Sequence, residues 1–184
     1  EPEVTKYDVW VAGTQVTSAN AADVLGDGAA SYDAGTNTLT VSKDIVTTDI
    51  WGAIEAKTTE DFTVIIADGV TLSAEKETCI DVENNLIINC VDLDVTSGSH
   101  GIFSKNGSVE FTGKEISVVS VGIGIYGNNI KIKCDKLAVD AKGTMAMLAS
   151  SGICSENDIE IECNTLSVAS GDEESIYAKN GDVT

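Results

Sequence analysis

Residues 79–97 read CIDVENNLIINCVDLDVTS, and three similar stretches follow them along the 184-residue chain. These copies open with GIFSKNGSVEF at Gly101, GIYGNNIKIKC at Gly124 and GICSENDIEIEC at Gly152. One isoleucine marks every copy, including an incomplete fifth copy near the end of the chain: Ile80, Ile102, Ile125, Ile153 and Ile176. Successive marker isoleucines are 22, 23, 28 and 23 residues apart. Self-similarity at such a period indicates a repeat architecture.

Apolar and polar residues alternate within each copy, and Asn and Gly interrupt the alternation at equivalent places. This pattern predicts three short strands per copy. A single copy cannot bury its apolar positions, whereas copies stacked about 4.8 Å apart turn each set of equivalent residues into a continuous core column. Leucine-rich repeats have a similar length but need a helical segment, and no stretch here has an apolar period of about 3.6 residues. The sequence therefore predicts an all-β fold, a parallel β-helix with about 22–23 residues per coil.

Asparagines recur at the corner between the first and second strands of each copy. Asn tolerates the left-handed backbone that a tight corner can require, and stacked side-chain amides can form hydrogen bonds from coil to coil. We therefore interpret these asparagines as structural residues and not as ligand-binding ones: Asn85, Asn106, Asn128, Asn157 and Asn180.

Residues 1–50 do not follow the repeat and are predicted to form a β-rich N-terminal cap, which the exposed end of a solenoid requires. Residues 7–16 indicate two short strands around an Ala-Gly-Thr turn, and residues 20–25 indicate a short capped helical turn. Residues 31–42 indicate a hairpin that turns at residues 33–37.

Residues 51–184 are predicted to form the coils, beginning with a divergent coil over residues 53–72. The last copy stops partway through its second strand, so we expect the coils to be truncated at Thr184 and the natural protein to continue. An exposed final coil also suggests end-to-end self-association.

The composition excludes several classes of function. The chain has 30 acidic and 11 basic residues, all of the latter Lys, and a formal net charge of −19, so a nucleic-acid partner is excluded. His100 is the single histidine, which leaves room for at most one histidine-based catalytic or metal site. No apolar run is long enough for membrane insertion, and the first residues do not have the pattern of a signal peptide, as expected of a mature chain.

Residues 7–40, YDVWVAGTQVTSANAADVLGDGAASYDAGTNTLT, resemble the recurrent opening of β-helix modules in large surface proteins of Gram-positive gut anaerobes. Those modules are described as carbohydrate-binding domain-containing and belong to a pectate-lyase-like superfamily. The later copies are similar to that family only in pattern. The resemblance implies a right-handed coil, a secreted or cell-surface location, and glycan binding.

The residue after each marker isoleucine points outward, so these residues are predicted to form one column: Glu55, Asp81, Phe103, Tyr126, Cys154 and Tyr177. Flat aromatic faces on a rigid surface suit the C–H faces of a sugar ring, and Tyr adds a hydroxyl group for hydrogen bonding. Phe103, Tyr126 and Tyr177 are therefore the predicted carbohydrate-binding residues. The alternatives are an aromatic ladder that stabilises adjacent strands, or a patch that a neighbouring segment covers.

No cofactor is assigned, but the acidic composition allows Ca²⁺, which prefers oxygen ligands. The family resemblance implies acidic glycans, which such a cation would bridge to the acidic chain. The best local candidates are Asp92 with Asp94, followed by residues 172–174. Neither matches an EF-hand or a glycine-rich calcium repeat. The long step between copies contains an insertion at residues 142–151, which is interpreted either as one edge of a binding groove or as an apolar lid.

The five cysteines give no sign of a metal site. Cys90, Cys134 and Cys163 share one inward column, in which Gly113 takes the fourth place, so they are interpreted as small core residues. Cys134 and Cys163 have a spacing compatible with a disulfide, but their parallel side chains would have to rotate to form one. No CxxC pair is present, so zinc is not expected.

Enzymatic activity has little support in the sequence. Related lyases use an Arg or Lys base; the chain has no Arg, and a Lys base would need a pKa lowered by burial. The outward carboxylates predicted for the third-strand face do not cluster as a glycosidase requires. We therefore expect a non-catalytic extracellular binding or display module whose partner is a glycan. The alternatives are a structural stalk or adhesin segment that binds a protein, and a fragment of a polysaccharide lyase or hydrolase.

Overall fold

The computed structural model describes residues 3–143, 150–171 and 173–184. Within these ranges the chain forms nineteen strands and no helix. The strands are β1 Lys6–Val11, β2 Thr14–Thr17, β3 Ala30–Asp33, β4 Thr38–Val41, β5 Ile45–Thr47, β6 Ile54–Ala56, β7 Phe62–Ile66, β8 Val70–Ala74, β9 Ile80–Val82, β10 Leu86–Asn89, β11 Asp92–Ser97, β12 Ile102–Ser104, β13 Val109–Thr112, β14 Glu115–Ser120, β15 Ile125–Gly127, β16 Ile130–Ala141, β17 Ile153–Ser155, β18 Ile159–Ser170 and β19 Ile176–Ala178.

The strands stack as a parallel β-helix of about six coils, which confirms the predicted fold class. The first strands of the coils form one eight-stranded sheet in the order β19-β17-β15-β12-β9-β6-β1-β2. The second and third strands join a larger sheet because β16 and β18 run through the corner and occupy both positions. Residues more than twenty positions apart in the sequence thereby become lateral neighbours.

The core consists of the columns that the repeats predict. Four of the marker isoleucines are fully buried and pair in register from coil to coil: Ile80, Ile102, Ile125 and Ile153. The divergent coil is confirmed as well, since β6, β7 and β8 bury Ile54, Val64 and Leu72 completely. Each fully buried aliphatic side chain contributes about 1.5–3 kcal/mol relative to its exposed state, so repetition supplies the cohesion that one coil lacks.

The corner asparagines form hydrogen bonds between coils, as predicted, but they do not adopt the left-handed backbone that was also predicted. Among the described residues that are not glycine, a positive φ occurs at Ala12 and Asn37, so none of the corner asparagines has a left-handed backbone. Their side chains do connect neighbouring coils: the Asn106 amide donates to Glu83 Oε1 at 2.7 Å, and the Asn180 amide donates to the Glu156 carbonyl at 3.0 Å. Their structural role is therefore to form hydrogen bonds between neighbouring coils.

The N-terminal residues form the two predicted hairpins. β1 pairs with β2 through a turn in which Ala12 and Gly13 have φ values of 47° and 76°, and β3 pairs with β4. β1 also runs antiparallel to β6, and so extends the first-strand sheet. Parallel pairing already begins with β4 on β7 and β5 on β8.

Residues 20–25 contain one hydrogen-bonded turn, in which the Asp23 amide donates to the Asn20 carbonyl at 3.0 Å, but they form no helix. Asn20 Oδ1 accepts hydrogen bonds from the Thr17 amide at 2.6 Å and the Thr17 hydroxyl at 2.9 Å, and the carboxylate of Asp23 accepts from the amides of Gly26 and Gly28. These side chains bond to the local backbone, and both glycines have positive φ, so no helix continues from this turn. The segment is consequently a series of turns.

None of the described residues forms a helix with the length and hydropathy that crossing a membrane requires.

Candidate functional site

The outward residues of the first-strand sheet form one column in register. β12 places Phe103 beside Tyr126, and β17 places Cys154 between Tyr126 and Tyr177. The structure thus brings all three predicted carbohydrate-binding residues onto one face, with Phe103 and Tyr126 adjacent and Tyr177 two strands further on. The complete column, in strand order, is Gln15, Trp10, Glu55, Asp81, Phe103, Tyr126, Cys154 and Tyr177.

Phe103 and Tyr126 stack on each other. Their ring centroids are 4.6 Å apart and their planes differ by 13°, a separation close to the spacing of neighbouring strands, so the rings face along the axis of the coil. The ring of His100 also lies against Phe103, with a centroid distance of 5.3 Å and an interplanar angle of 27°. One face of Tyr126 is therefore covered by Phe103, and its opposite face turns towards Cys154.

A hydrogen-bonded ion pair lies beside the aromatic stack. The Tyr126 hydroxyl donates to Glu156 Oε1 at 3.1 Å, and the Lys179 ammonium donates to Glu156 Oε2 at 2.9 Å. The hydrogen bond from Lys179, followed by that from Tyr126, lowers the pKa of the Glu156 carboxyl. Burial, followed by the hydrogen bond to Glu156, raises the pKa of Tyr126. At neutral pH the phenol remains a hydrogen-bond donor, and Glu156 remains a carboxylate with acceptor capacity on an exposed face.

Two carboxylates occupy the next part of the column, where Glu55 pairs in register with Asp81. Desolvation, followed by the charge of Glu55, raises the pKa of Asp81, although this side chain keeps access to solvent. Both residues line a shallow cavity of about 200 Å³ together with Trp51, which is 41% exposed. The cavity offers acceptors for hydroxyl groups beside an apolar ring.

Trp10 also belongs to this column, although the sequence repeats do not predict it. Trp10 reaches this face because β1 pairs antiparallel with β6 and places Trp10 opposite Glu55. Its ring lies 5.2 Å from the ammonium group of Lys57. The alternation of Val9, Trp10 and Val11 indicates a strand, but nothing in the sequence indicates which strand β1 pairs with.

The predicted calcium ligands Asp92 and Asp94 line a cavity of about 400 Å³ on the third-strand face, together with Glu115 and Lys136. Lys136 forms an ion pair with Glu115 at 3.4 Å, while Asp92 Oδ1 is buried without a hydrogen-bond partner. In the described ranges, no group of three or more His, Cys, Asp or Glu side chains is placed to hold a metal ion. Asp172 lies outside the described residues, so a calcium site stays a prediction.

The cysteines are free thiols. Cys134 lies opposite Cys163 in neighbouring coils. Burial raises the pKa of Cys79 to about 12, and burial is also the main cause that raises the pKa values of Cys90 and Cys134 to about 11. A Cβ atom on Gly113 would lie 2.8 Å from Cys90 Sγ, so glycine at this position leaves room for the thiol. These properties match small core residues.

The insertion at residues 142–151 was predicted to form either a groove edge or a lid. Its central residues 144–149, including both methionines, lie outside the described residues. On the described side of this corner, the hydroxyl group of Ser151 donates to Glu173 Oε2 at 3.4 Å, which places a carboxylate near the coil that carries Cys154.

Comparisons of the chain with protein-family models, with curated proteins and with solved structures found no match. Membership of the pectate-lyase-like superfamily, suggested by residues 7–40, therefore stays a prediction.

Proposed function

We propose that this β-helix is a non-catalytic, extracellular binding and display module that holds a glycan on the outward column of its first-strand sheet. The observation that carries the proposal is the alignment of Trp10, Phe103, Tyr126 and Tyr177 in one column, with carboxylates between and beside them. Aromatic faces pack against sugar C–H groups, and the carboxylates accept hydrogen bonds from sugar hydroxyl groups.

The rigidity of the surface supports this proposal. The column residues stand on hydrogen-bonded strands, and the Phe103–Tyr126 stack and the Tyr126–Glu156 hydrogen bond restrain the rings further. A preorganised surface loses little conformational entropy when a ligand binds. The column also runs along the coil axis, so an extended polysaccharide can contact several coils at once and gain avidity from repeated weak contacts.

A structural stalk or adhesin segment with a protein partner is the second candidate function. The Phe103–Tyr126 stack favours it, because an aromatic ladder stabilises neighbouring strands by about 0.5–1.5 kcal/mol per pair without any ligand. In that case the rings would contribute to stability and not to recognition. Binding and stability measurements on the same variants separate the two functions.

Affinity electrophoresis in native gels that contain galactomannan, xyloglucan or polygalacturonate tests the proposal, with and without EDTA. We expect at least one of these polysaccharides to retard the protein, and we expect Tyr126→Ala to reduce the retardation by at least fivefold. Ile65→Ala is the matched control, because Ile65 is an outward residue, 44% exposed, on the second-strand face. Migration unaffected by any polysaccharide would refute glycan binding and favour the stalk. Release of unsaturated or reducing ends would identify an enzyme instead.

A further inference from the structure

Cys154 interrupts the aromatic column and leaves a gap. It lies in register between Tyr126 and Tyr177, on the strand that separates them. Neighbouring strands are about 4.8 Å apart, so the backbones that carry the two tyrosines are separated by roughly 9.6 Å. Cys154 has a far smaller side chain than either tyrosine and is only partly buried. We refer to the space above Cys154, between Tyr126 and Tyr177, as the slot.

The orientation of Tyr126 gives the slot a flat wall. Because Tyr126 stacks on Phe103 with an interplanar angle of 13°, its free face points along the coil axis into the slot. Tyr177 leaves the same side of the sheet and is 39% exposed. Carbon atoms in optimal contact are about 3.5–4.0 Å apart, so two such contacts, one on each face of an inserted ring, fit within the roughly 9.6 Å between the backbones of Tyr126 and Tyr177.

Polar groups occupy one edge of the slot. Glu156 lies two residues after Cys154 and Lys179 two residues after Tyr177, so both leave the coil at the same end of the sheet. Glu156 accepts hydrogen bonds from Tyr126 and from Lys179 and is thereby held in place. A ring that enters the slot meets a carboxylate and an ammonium group, which are an acceptor and a donor for hydroxyl groups.

The charge around the slot selects the class of ring. Glu156 is held beside the slot by the hydrogen bond from Tyr126, and Glu173 accepts a hydrogen bond from Ser151 near the coil that carries Cys154. Lys179 already pairs with Glu156 at 2.9 Å, and the chain carries a net charge of −19. A uronic acid or a sulfated sugar would therefore be repelled, whereas an uncharged sugar ring would not.

We infer that the slot over Cys154 binds one uncharged pyranose ring of a polysaccharide, stacked between Tyr126 and Tyr177, with its hydroxyl groups on Glu156 and Lys179. This inference rests on the proposed glycan-binding function and narrows it to a neutral sugar and to a single position in the column.

Filling the slot tests the inference. Cys154→Phe replaces the thiol with a ring that can extend the Phe103–Tyr126 stack, so the variant is expected to fold and to match or exceed the wild-type melting temperature. We expect galactomannan or xyloglucan to bind the wild type, and we expect Cys154→Phe to lower that affinity at least tenfold. The matched control Cys154→Ser keeps the slot open and is expected to retain the affinity within about twofold.

The outcomes separate this inference from the proposed function. Retention of neutral polysaccharides that Cys154→Phe does not reduce would overturn the slot while leaving glycan binding on the column intact. Preferential retention of polygalacturonate would overturn the assignment to uncharged sugars. Absence of binding to every polysaccharide would refute the proposed function and the slot together.

Alkylation provides a second measurement that does not depend on a variant. Saturating galactomannan or xyloglucan should slow the modification of Cys154 by iodoacetamide at least fivefold, as measured by peptide mass spectrometry at pH 8.5. The partly exposed Cys163 in the corner column serves as the internal control, and its rate should not change. Retention of the polysaccharide without protection of Cys154 would place the sugar elsewhere and overturn the inference.

Discussion

Replacement of Gly124 by Ala tests the stacking of the coils most simply. A Cβ atom on Gly124 would lie 2.4 Å from the carbonyl oxygen of Gly152 in the next coil and 2.3 Å from Cγ1 of Val139. Gly101 and Gly152 hold equivalent positions and would meet the next coil at similar distances. The glycine is therefore required for the close approach of successive coils.

The change in the free energy of unfolding follows from two opposing effects. Overpacking of a tight interior contact destabilises the fold by about 1–3 kcal/mol. Ala in place of Gly lowers the entropy of the unfolded chain and so stabilises the fold by about 0.5–1 kcal/mol. The net loss for Gly124→Ala is thus about 1–2 kcal/mol. For a chain of this length it corresponds to a melting temperature lower by roughly 2–8 °C.

Thermal unfolding followed by circular dichroism measures this effect. Gly35→Ala is the matched control, since its Cβ would meet nothing closer than the Asp33 side chain at 3.3 Å and its φ is not positive. We expect the control to unfold within about 1 °C of the wild type, as surface substitutions usually do. A melting temperature for Gly124→Ala equal to that of the wild type would show that the coils do not touch at this position.

Three further predictions concern stability, pH and the thiols. Ile125→Ala should lower the free energy of unfolding in urea by about 2–5 kcal/mol because Ile125 is fully buried; a loss below 1 kcal/mol would contradict its place in the core. The pKa of Asp81 is raised in the folded state, so the protonated side chain stabilises the fold relative to the carboxylate. This stabilisation is fully present below the ordinary pKa of 3.8 and is lost as the pH rises. Asp81→Asn should accordingly have a higher melting temperature than the wild type at pH 7 and the same melting temperature at pH 3. An equal difference in melting temperature at both pH values would contradict this. A thiol reagent should titrate five thiols in denaturant without reductant, and a count of three would reveal a disulfide. In the native state at pH 8, Cys79 should be protected from the reagent.

The coil architecture was predictable because every copy repeats the same alternation. Ile80, Ile102 and Ile125 recur at similar intervals beside Asn-rich corners, so one strand register aligns the equivalent residues of all copies. The columns of the core follow from this register. The same register predicts that Phe103 and Tyr126 are neighbours. Their interplanar angle was not predictable, since it depends on the rotamers of both side chains.

The N-terminal residues were harder to predict because they do not repeat. The helical turn at residues 20–25 was inferred from Asn20 as a capping residue, yet the same amide side chain bonds to Thr17 and forms a tight turn. The place of Trp10 in the column depends on antiparallel pairing between β1 and β6, which are separated by more than forty residues. Non-local pairing of this kind leaves no periodic signal in the sequence.

The slot could not be recognised from the sequence either, although its three residues belong to the predicted column. In the sequence, Cys154 is simply a smaller residue at an aromatic position. Its significance depends on the ring of Tyr126, whose stacking on Phe103 leaves one face open towards Cys154. The ion pair of Glu156 with Lys179 joins two coils and likewise becomes apparent only when they are stacked.

The most direct measurement is a crystal structure of the protein soaked with oligosaccharides prepared from whichever neutral polysaccharide retards it. Glycan binding on the aromatic column predicts electron density for a sugar ring against the free face of Tyr126, on the outward side of the first-strand sheet. A sugar bound at Asp92 on the third-strand face, or anywhere away from this column, would contradict it.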